Sequence, residues 1–204
     1  MKNPILALSL IVVVVVLISA RWSSKAVNAP PTEGVTQTPV DTSLTTGLSI
    51  IDMIDRSDLI AIGSCVDTKS AWVERRLVTV ATISVTETLK GAEPGTITVA
   101  LPGGIDANRK FPIAMTYPGA PRIAPGEEVF LFLTADVDGA ASYTVAGFSQ
   151  GKFSIVKDQA GEQIVTRDLT RTMLKDNNGV RRGSADTISL SSFKAQVKAH
   201  LRQQ

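Results

Sequence analysis

The chain has 204 residues, of which 44% are hydrophobic and 20% are charged. This composition indicates one modest folded domain with attachments, and it excludes a wholly disordered chain and a protein with many membrane spans. The 21 basic and 19 acidic residues leave a net charge of +2 without a basic block, which argues against a dedicated nucleic-acid binder. A single Cys excludes an intrachain disulfide and a Cys-based zinc or iron–sulfur site, and a single His excludes a two-histidine metalloprotease motif.

The first twenty residues predict an export signal or a membrane anchor. Lys2 precedes the stretch from Ile5 to Ile18, which is apolar except for one Ser and carries no charge. A charged start followed by an apolar middle is typical of a secretory signal peptide. The run is short for a spanning helix, which usually needs about 20 residues, although snorkelling flanks such as Arg21 would allow it to remain as an anchor. Both alternatives place the body in the periplasm or outside the cell.

Two further regions follow in the predicted domain order. Residues 21–43 are polar and rich in Thr, Ser and Pro, which indicates a flexible linker. Residues 44–204 carry the periodic apolar patterns of a folded domain. A short helix opens that domain, with an apolar face made of Leu44, Leu48 and Ile51. A second helix closes it, with Ser189 as N-cap and an apolar stripe made of Leu190, Phe193, Val197 and Leu201.

Between the two helices the sequence predicts five to seven strands. They are expected at 59–66, 77–89, 96–101, 129–133, 143–146, 153–156 and 163–166. In the second strand a change of phase near Val80 predicts a bulge, and Asp138 with Gly139 predicts a hairpin turn. The core is expected to include Ile83, Val85, Leu131 and Leu133. The predicted fold is mostly β: a small OB-like, partly open β-barrel with a short N-terminal helix and a C-terminal helix.

Candidates for catalysis are few. Residues 147–151 match the G-x-S-x-G pattern of a nucleophile elbow, and Asp168 and His200 follow in the order of a hydrolase triad. An elbow needs a strand before the Ser and a helix after it, whereas both flanks of Ser149 predict strands. The glycines are therefore expected to serve a tight bend, and Cys65 is expected to pack as a small hydrophobe within its strand. No catalytic residue, metal ligand or cofactor is predicted.

The unusual part of the domain is the stretch from Pro102 to Gly126, which contains five Pro and four Gly. Loops of this length are often functional, and the loops of OB-type barrels are their usual binding surface. Aromatic and Arg side chains are common interface anchors. The binding candidates are Trp72 and Arg75, in the predicted connection between the first two strands, and Arg109, Phe111, Tyr117 and Arg122 in the long segment. The alternatives are solvated residues, or a cover over an open barrel end in which Phe111, Ile113 and Met115 point inward.

The order of several short motifs resembles that of a group of exported bacterial proteins. These motifs are SDLIAIG (57–63), TETLKG (86–91), PGG (102–104), GEEVFLFL (126–133) and GFSQGKF (147–153). More distantly, the order is similar to the OB-like fold of netrin-type modules and tissue inhibitors of metalloproteinases. The resemblance covers about residues 44–156 and implies a binding module. Those inhibitors chelate zinc with a free N-terminal Cys, whereas this chain has only Cys65 inside a strand, so no functional residue is carried over.

Together these patterns predict a non-enzymatic, exported binding or interaction module. The expected partner is another protein or an envelope component, with no nucleic acid and with membrane contact only through residues 5–20 if they are not cleaved. An exported hydrolase, with Ser149 as nucleophile, and a structural envelope component are the alternatives.

Overall fold

The structure is a computed structural model that describes residues 42–92, 95–137 and 139–204. The predicted signal or anchor at 1–20 lies outside the described residues, as does the predicted linker as far as residue 41 and the first residue of the predicted Asp138–Gly139 turn. No helix within the described residues is both long enough and apolar enough to cross a membrane.

The described chain is mostly β, as predicted, with two helices. In order the elements are β1 (Ser43–Thr46), α1 (Ile50–Arg56), β2 (Leu59–Val73), β3 (Arg76–Lys90), β4 (Thr96–Pro102), β5 (Gly104–Asp106), β6 (Ile113–Met115), β7 (Glu128–Ala135), β8 (Tyr143–Val145), β9 (Lys152–Lys157), β10 (Gln163–Asp168), β11 (Thr172–Asp176), β12 (Gly179–Arg182), β13 (Ala185–Ser189) and α2 (Leu190–Leu201).

Five strands close into a ring. β2 pairs with β3, β3 with β4, β4 with β8, β8 with β7, and β7 with β2; only the β4–β8 pair is parallel. Side chains from these strands form one buried apolar cluster, which contains Ile83, Leu131 and Leu133 as predicted. Val85 is half-buried and packs against the cluster. The ring therefore has its own core.

A second apolar cluster lies on the other face of β7. Here the sheet continues through β9, β10 and β13, and both helices pack against it. Phe193 of α2 is central, since its ring lies 4.9 Å from that of Phe130 and 4.8 Å from that of Phe153. Alternate side chains of β7 enter the two clusters. This explains the continuous apolar run over 129–133, because a strand buried on both faces has no polar side.

The opening helix begins later than predicted. Ser43–Thr46 form strand β1, parallel to β11, and Leu44 is 64% exposed. The helix starts at Ile50 because Ser49 and Asp52 form a capping box, in which each side chain accepts a hydrogen bond from the other residue's backbone N–H. The prediction of a helical face that includes Leu44 was wrong.

The first long strand also differs from the prediction. β2 continues to Val73, so that Trp72 lies within a strand and only Glu74 and Arg75 connect β2 to β3. The pairing of β2 with β3 is irregular at three places, none of them near Val80: the extra residue is Leu89 or Thr86 of β3 at two of them. At the third, Val66 of β2 is left unpaired and exposed. An apolar residue at a bulge does not have to follow the alternation of its strand.

The segment 102–126 is ordered around a small hairpin made of β5 and β6. Ile123 is only 6% exposed and joins the ring cluster, and the Met115 sulfur accepts a hydrogen bond from the Leu77 N–H. The segment therefore packs on the ring. The alternative in which Phe111 points inward is wrong, because that side chain is 76% exposed.

Candidate functional site

One carboxylate organises the end of the β2–β3 hairpin. Asp106, the last residue of β5, accepts a hydrogen bond from Trp72 Nε1 at 2.7 Å and another from Arg109 Nε at 2.8 Å, both on Oδ2. The Arg109 guanidinium also lies 5.2 Å from the centre of the Trp72 ring. The Trp72 hydrogen bond, followed by that from Arg109, holds the pKa of Asp106 below its usual range. The carboxylate thus fixes an indole and a guanidinium side by side.

Apolar and basic residues lie next to this arrangement along the chain. Ile105 of β5 is 63% exposed, and Phe111, in the β5–β6 loop, has the Lys110 ammonium 5.7 Å from its ring centre. Within the described residues, neither Lys110 nor Arg75 pairs with a carboxylate. We call Trp72, Arg75, Ile105, Arg109 and Phe111 the hairpin end. It combines exposed apolar surface with positive charge.

The PGG motif allows β5 to lie close to the β2–β3 hairpin. A Cβ atom on Gly104 would stand 2.8 Å from Ser70 Oγ and 3.2 Å from Thr79 Oγ1. Ser70 Oγ instead accepts a hydrogen bond from the Ile105 N–H at 2.9 Å. Gly103 has a φ of +92°, a conformation that favours glycine. The motif therefore positions Asp106 beneath Trp72.

Three cavities share a wall formed by Tyr117 and Pro121. The first cavity, of about 450 Å³, is mainly apolar, and its lining includes Val73, Leu77, Leu101, Val145 and Phe148. The second cavity, of about 710 Å³, has many polar side chains. The third cavity, of about 550 Å³, runs beside Gly103 and Gly104. The segment 102–126 thus provides walls for all three.

The G-x-S-x-G match is a strand–turn–strand connection between β8 and β9. Its Gln150 is fully buried: Nε2 donates to the carbonyls of Thr46 (2.7 Å) and Gly147 (3.1 Å), and Oε1 accepts from the Leu48 N–H (2.8 Å). Phe148 has a φ of +68°, rare for a residue with a side chain, and it lines the first cavity. The turn therefore binds the start of the domain to the ring.

The structure does not join Ser149 to His200. His200 Nε2 lies 2.9 Å from Asp55 Oδ1, and the buried Ser149 Oγ has no hydrogen-bond partner. Asp168 lines the second cavity together with Ser149, but its carboxylate accepts hydrogen bonds from Thr170. No nucleophile–base pair of the predicted triad is formed in the described residues.

Cys65 also shows no arrangement for chemistry. Its thiol is buried, and burial raises the pKa of Cys65. Such a thiol is a poor nucleophile because the thiolate is the reactive form. Within the described ranges no group of three or more His, Cys, Asp or Glu side chains is placed to hold a metal ion.

Two of the motifs that carry the resemblance meet in one half-buried polar contact. Glu127 of GEEVFLFL pairs with Lys152 of GFSQGKF, and its Oε1 also accepts from Ser154 Oγ at 2.7 Å. Its Oε2 accepts from the Ala124 N–H at 2.9 Å. Burial works to raise the pKa of Glu127, but the hydrogen bonds outweigh it and hold that pKa below its usual range.

The six binding candidates fall into two groups. Trp72 and Arg109 are in contact, and Arg75 and Phe111 belong to the same hairpin end. Tyr117 and Arg122 instead line cavities: Tyr117 borders all three, and Arg122 the second and third. Sequence reasoning missed Asp106, which holds the first group together.

No protein-family model, curated protein or solved structure matches this chain. Its function therefore has to be inferred from the geometry of its own residues.

Proposed function

We propose that the chain is an exported, non-enzymatic binding module that holds a protein partner at its hairpin end. The observation that carries the proposal is the double hydrogen bond on Asp106 Oδ2, which holds Trp72 and Arg109 together as one partly exposed pair. Preordered anchors lose less conformational entropy on binding than free side chains do. Trp and Arg are also the residue types that most often carry binding energy at protein interfaces.

We also propose that the five-stranded ring is an OB-type barrel. Numbered in chain order, its strands follow each other around the ring as first, second, third, fifth and fourth, with the third and fifth parallel. A five-stranded, partly open Greek-key barrel of this kind binds through the loops that connect its strands. The hairpin end lies at the first of these connections.

The chemistry of the hairpin end supports a partner face of complementary chemistry. Phe111 and Ile105 offer apolar surface, while Arg75 and Lys110 offer positive charge that no described carboxylate neutralises. A complementary protein face has an apolar side chain surrounded by acidic ones. Val73, the next residue of β2 after Trp72, lines the first cavity, and we propose that this mainly apolar cavity receives that apolar side chain.

Two observations favour binding over the alternative of an exported hydrolase. Ser149 Oγ has no base within hydrogen-bond distance, and His200 is engaged with Asp55. The glycines of the match are explained by the turn itself, since Gly151 is so close to backbone that a Cβ atom would stand 2.8 Å from the Phe132 oxygen.

The binding proposal is tested by crosslinking in intact cells. A photoreactive side chain at position 111 is expected to capture one partner species, and one at position 180 of β12, also an exposed apolar site, is expected not to capture it. Trp72→Ala and Arg109→Ala should reduce capture from position 111 at least about tenfold without changing the thermal midpoint. Equal capture from both positions, or capture that survives Trp72→Ala, would contradict the proposal.

The role of the first cavity has a matched test within one loop. Ala140 lines the cavity, whereas Val137 is 95% exposed and does not. Ala140→Trp should block the cavity and weaken capture from position 111, and Val137→Trp should leave it unchanged. If both substitutions act alike, the cavity has no part in binding.

Export is tested separately. The charged Lys2 and the apolar run to Ile18 motivate it. N-terminal sequencing of the protein from envelope and secreted fractions distinguishes cleavage from anchoring. Recovery of the full-length chain only from the soluble cytoplasm would contradict both.

A further inference from the structure

The outer half of β2 has a strand on only one of its two edges. β7 pairs with β2 over residues 59–64, and the loop before β7 bonds the backbone of Cys65. From Asp67 to Val73, within the described residues, β2 pairs with β3 and with no other strand. We call the second, unpaired edge of residues 67–73 the β2 edge.

The register shows which backbone groups point to the β2 edge. Opposite residues of antiparallel strands either exchange both of their hydrogen bonds or point their backbone groups away from each other. Leu77 of β3 points away from β2, since its C=O accepts from the Gly103 N–H at 3.0 Å. Its partner is Trp72, which therefore points its N–H and C=O away from β3. Ser70 and Thr68 do the same by alternation, because the register is regular from Asp67 to Val73.

These outward groups have no partners among the described residues. No hydrogen bond joins the outward backbone N–H or C=O of Thr68, Ser70 or Trp72 to another residue there. Ser70 and Trp72 are exposed, and Thr68 is half-buried. An open strand edge of this kind is a template for pairing with a further strand. The three residues thus present an aligned row of donors and acceptors about 13 Å long.

The third cavity lies along the same edge. Its lining includes residues 68–70 of β2 together with residues 123–125 of the long segment, and its volume is about 550 Å³. Ser70 and Thr79 both line it and are cross-strand partners, so the cavity lies on the face of the hairpin that these two side chains share. Leu101 adds apolar surface. Every second side chain of a strand added at the β2 edge would point to this face.

The charges beside the edge favour an acidic partner over a second copy of the chain. Lys69 is exposed and pairs with Asp67, and a Lys on an edge strand hinders pairing between like edges. Arg122 lines the third cavity, and Arg75 follows the outer end of β2. Neither Arg pairs with a carboxylate in the described part of the chain. Acidic residues of a partner would complement both.

We propose that the β2 edge binds an extended segment of the protein partner as an added strand. The segment bonds the outward groups of residues 68–72, places alternate apolar side chains in the third cavity, and carries acidic residues near Arg75 and Arg122. Main-chain hydrogen bonds give affinity in such additions, and pockets for alternate side chains give specificity. Because Trp72 belongs to both the edge and the hairpin end, this inference rests on the proposed function and names how its partner is held.

The test removes one outward N–H. Thr68→Pro deletes that donor, and Pro is tolerated on an edge strand where the missing N–H faces outward. Thr68→Ala is the control, because it loses the same hydroxyl and keeps the N–H. Capture in intact cells is recorded from a photoreactive side chain at position 69, which is exposed, and from position 180 of β12, which is also an unpaired edge strand in the described chain.

Thr68→Pro should lower capture of the partner from position 69 at least about tenfold, and Thr68→Ala by less than about twofold. Equal capture in the two variants would overturn the proposal. So would a lack of capture from position 69, equal capture from position 180, or capture of a second copy of the chain.

Amide hydrogen exchange, read by NMR, tests the edge without a substitution. In the free chain the N–H groups of Thr68, Ser70 and Trp72 should exchange at least about tenfold faster than those of Lys69 and Ala71, which point to β3. In the complex crosslinked from position 69 the first three should slow at least about tenfold. Equal rates in the free chain, or no slowing in the complex, would contradict the proposal.

Position 111 separates this inference from the proposed function. If capture from position 111 is unchanged in Thr68→Pro, the hairpin end holds its partner without an added strand, and this inference fails alone. If position 69 captures a species in a way that depends on the Thr68 N–H while position 111 captures none, the added strand stands and the hairpin end fails as the site.

Discussion

The turn at 146–151 and the hairpin end are opposite kinds of region. The turn carries a sequence pattern associated with catalysis, yet its residues are explained by buried contacts: Gln150 bonds three backbone groups, and Gly151 lies against two carbonyls. The hairpin end has no recognisable motif, yet Asp106 draws Trp72 and Arg109 into a defined pair at the surface. The G-x-S-x-G match thus contributes to the fold, whereas the hairpin end, which matches no motif, provides the candidate site.

The two regions differ in how much the free energy of unfolding falls when their contacts are broken. Buried polar groups without partners and atoms forced into backbone destabilise a fold, whereas exposed groups are solvated by water when their contacts are broken. Substitutions of Gln150 and Gly151 in the turn should therefore reduce stability, and substitutions at the hairpin end should change binding and local order. Measurements of stability and of binding therefore separate the two regions.

The largest effect is expected at Gly151. A Cβ atom there would stand 2.8 Å from the Phe132 oxygen and 2.9 Å from the Ala146 oxygen, both in backbone that cannot move freely. Gly151→Ala should lower the free energy of unfolding by about 3 kcal/mol or more. Gly95→Ala is the control, since nothing lies within 4 Å of its Cβ position. Urea denaturation measures both; a cost below about 1 kcal/mol at Gly151 would show that the turn can open.

Gln150→Ala should have the next largest effect. The substitution removes three hydrogen bonds and leaves the Leu48 N–H and the Thr46 carbonyl without this partner, which is expected to cost about 2–3 kcal/mol. Gln163→Ala, at an exposed site in β10, should change stability by less than about 0.5 kcal/mol. Equal midpoints in urea for the two variants would mean that the turn does not tie β1 and α1 to the ring.

Glu127 provides a pH-dependent test of the polar contact beside the turn. Because its pKa is lower in the folded chain than in the unfolded one, its contribution is complete above the unfolded value of about 4.3 and is lost as pH falls through the folded value. Glu127→Gln should therefore remove part of the loss of stability in acid, and should cost about 1–2 kcal/mol at pH 7 because Lys152 loses its partner. Urea midpoints between pH 2 and pH 7 measure this; an unchanged slope would contradict the prediction.

Long periodic segments made much of the fold predictable. β3, β7 and α2 have 15, 8 and 12 residues, and the structure places them close to the bounds expected from their apolar patterns. The short strands gave no such signal: β5 and β6 have three residues each, and all four residues of β12 are exposed. Their strand conformation depends on pairing with partners rather than on local apolar alternation.

The candidate site was predictable only in part. Trp72 and Arg109 were predicted as binding residues because their types are common at interfaces. Their contact, however, depends on Asp106, which is 34 positions away from Trp72. Nothing in the residues around Asp106 indicates that partner. The third cavity is harder still, since Thr68, Gly104 and Ile123 come from three separate parts of the chain. Such sites follow from the packing of the 102–126 segment, which single-sequence patterns do not encode.

The smallest effect on stability, and the sharpest on the hairpin end, is expected from Asp106→Asn. The Asp106 side chain is 13% exposed, but its partners Trp72 and Arg109 lie at the surface, so the thermal midpoint should change little. Arg109 loses its charged partner and should leave the Trp72 ring. The NMR signal of the Trp72 Nε1–H, assigned by its loss in Trp72→Phe, reports this change directly.

In the unchanged chain the same signal should titrate with a midpoint below the usual Asp pKa of about 3.9, because hydrogen bonds from Trp72 and Arg109 favour the ionised carboxylate. In Asp106→Asn the titration should disappear, and crosslinking from position 111 should fall with it. A midpoint at or above about 3.9, or full crosslinking after the substitution, would show that Asp106 does not hold Trp72 and Arg109 together. The alternative that these binding candidates are simply solvated residues would then be correct.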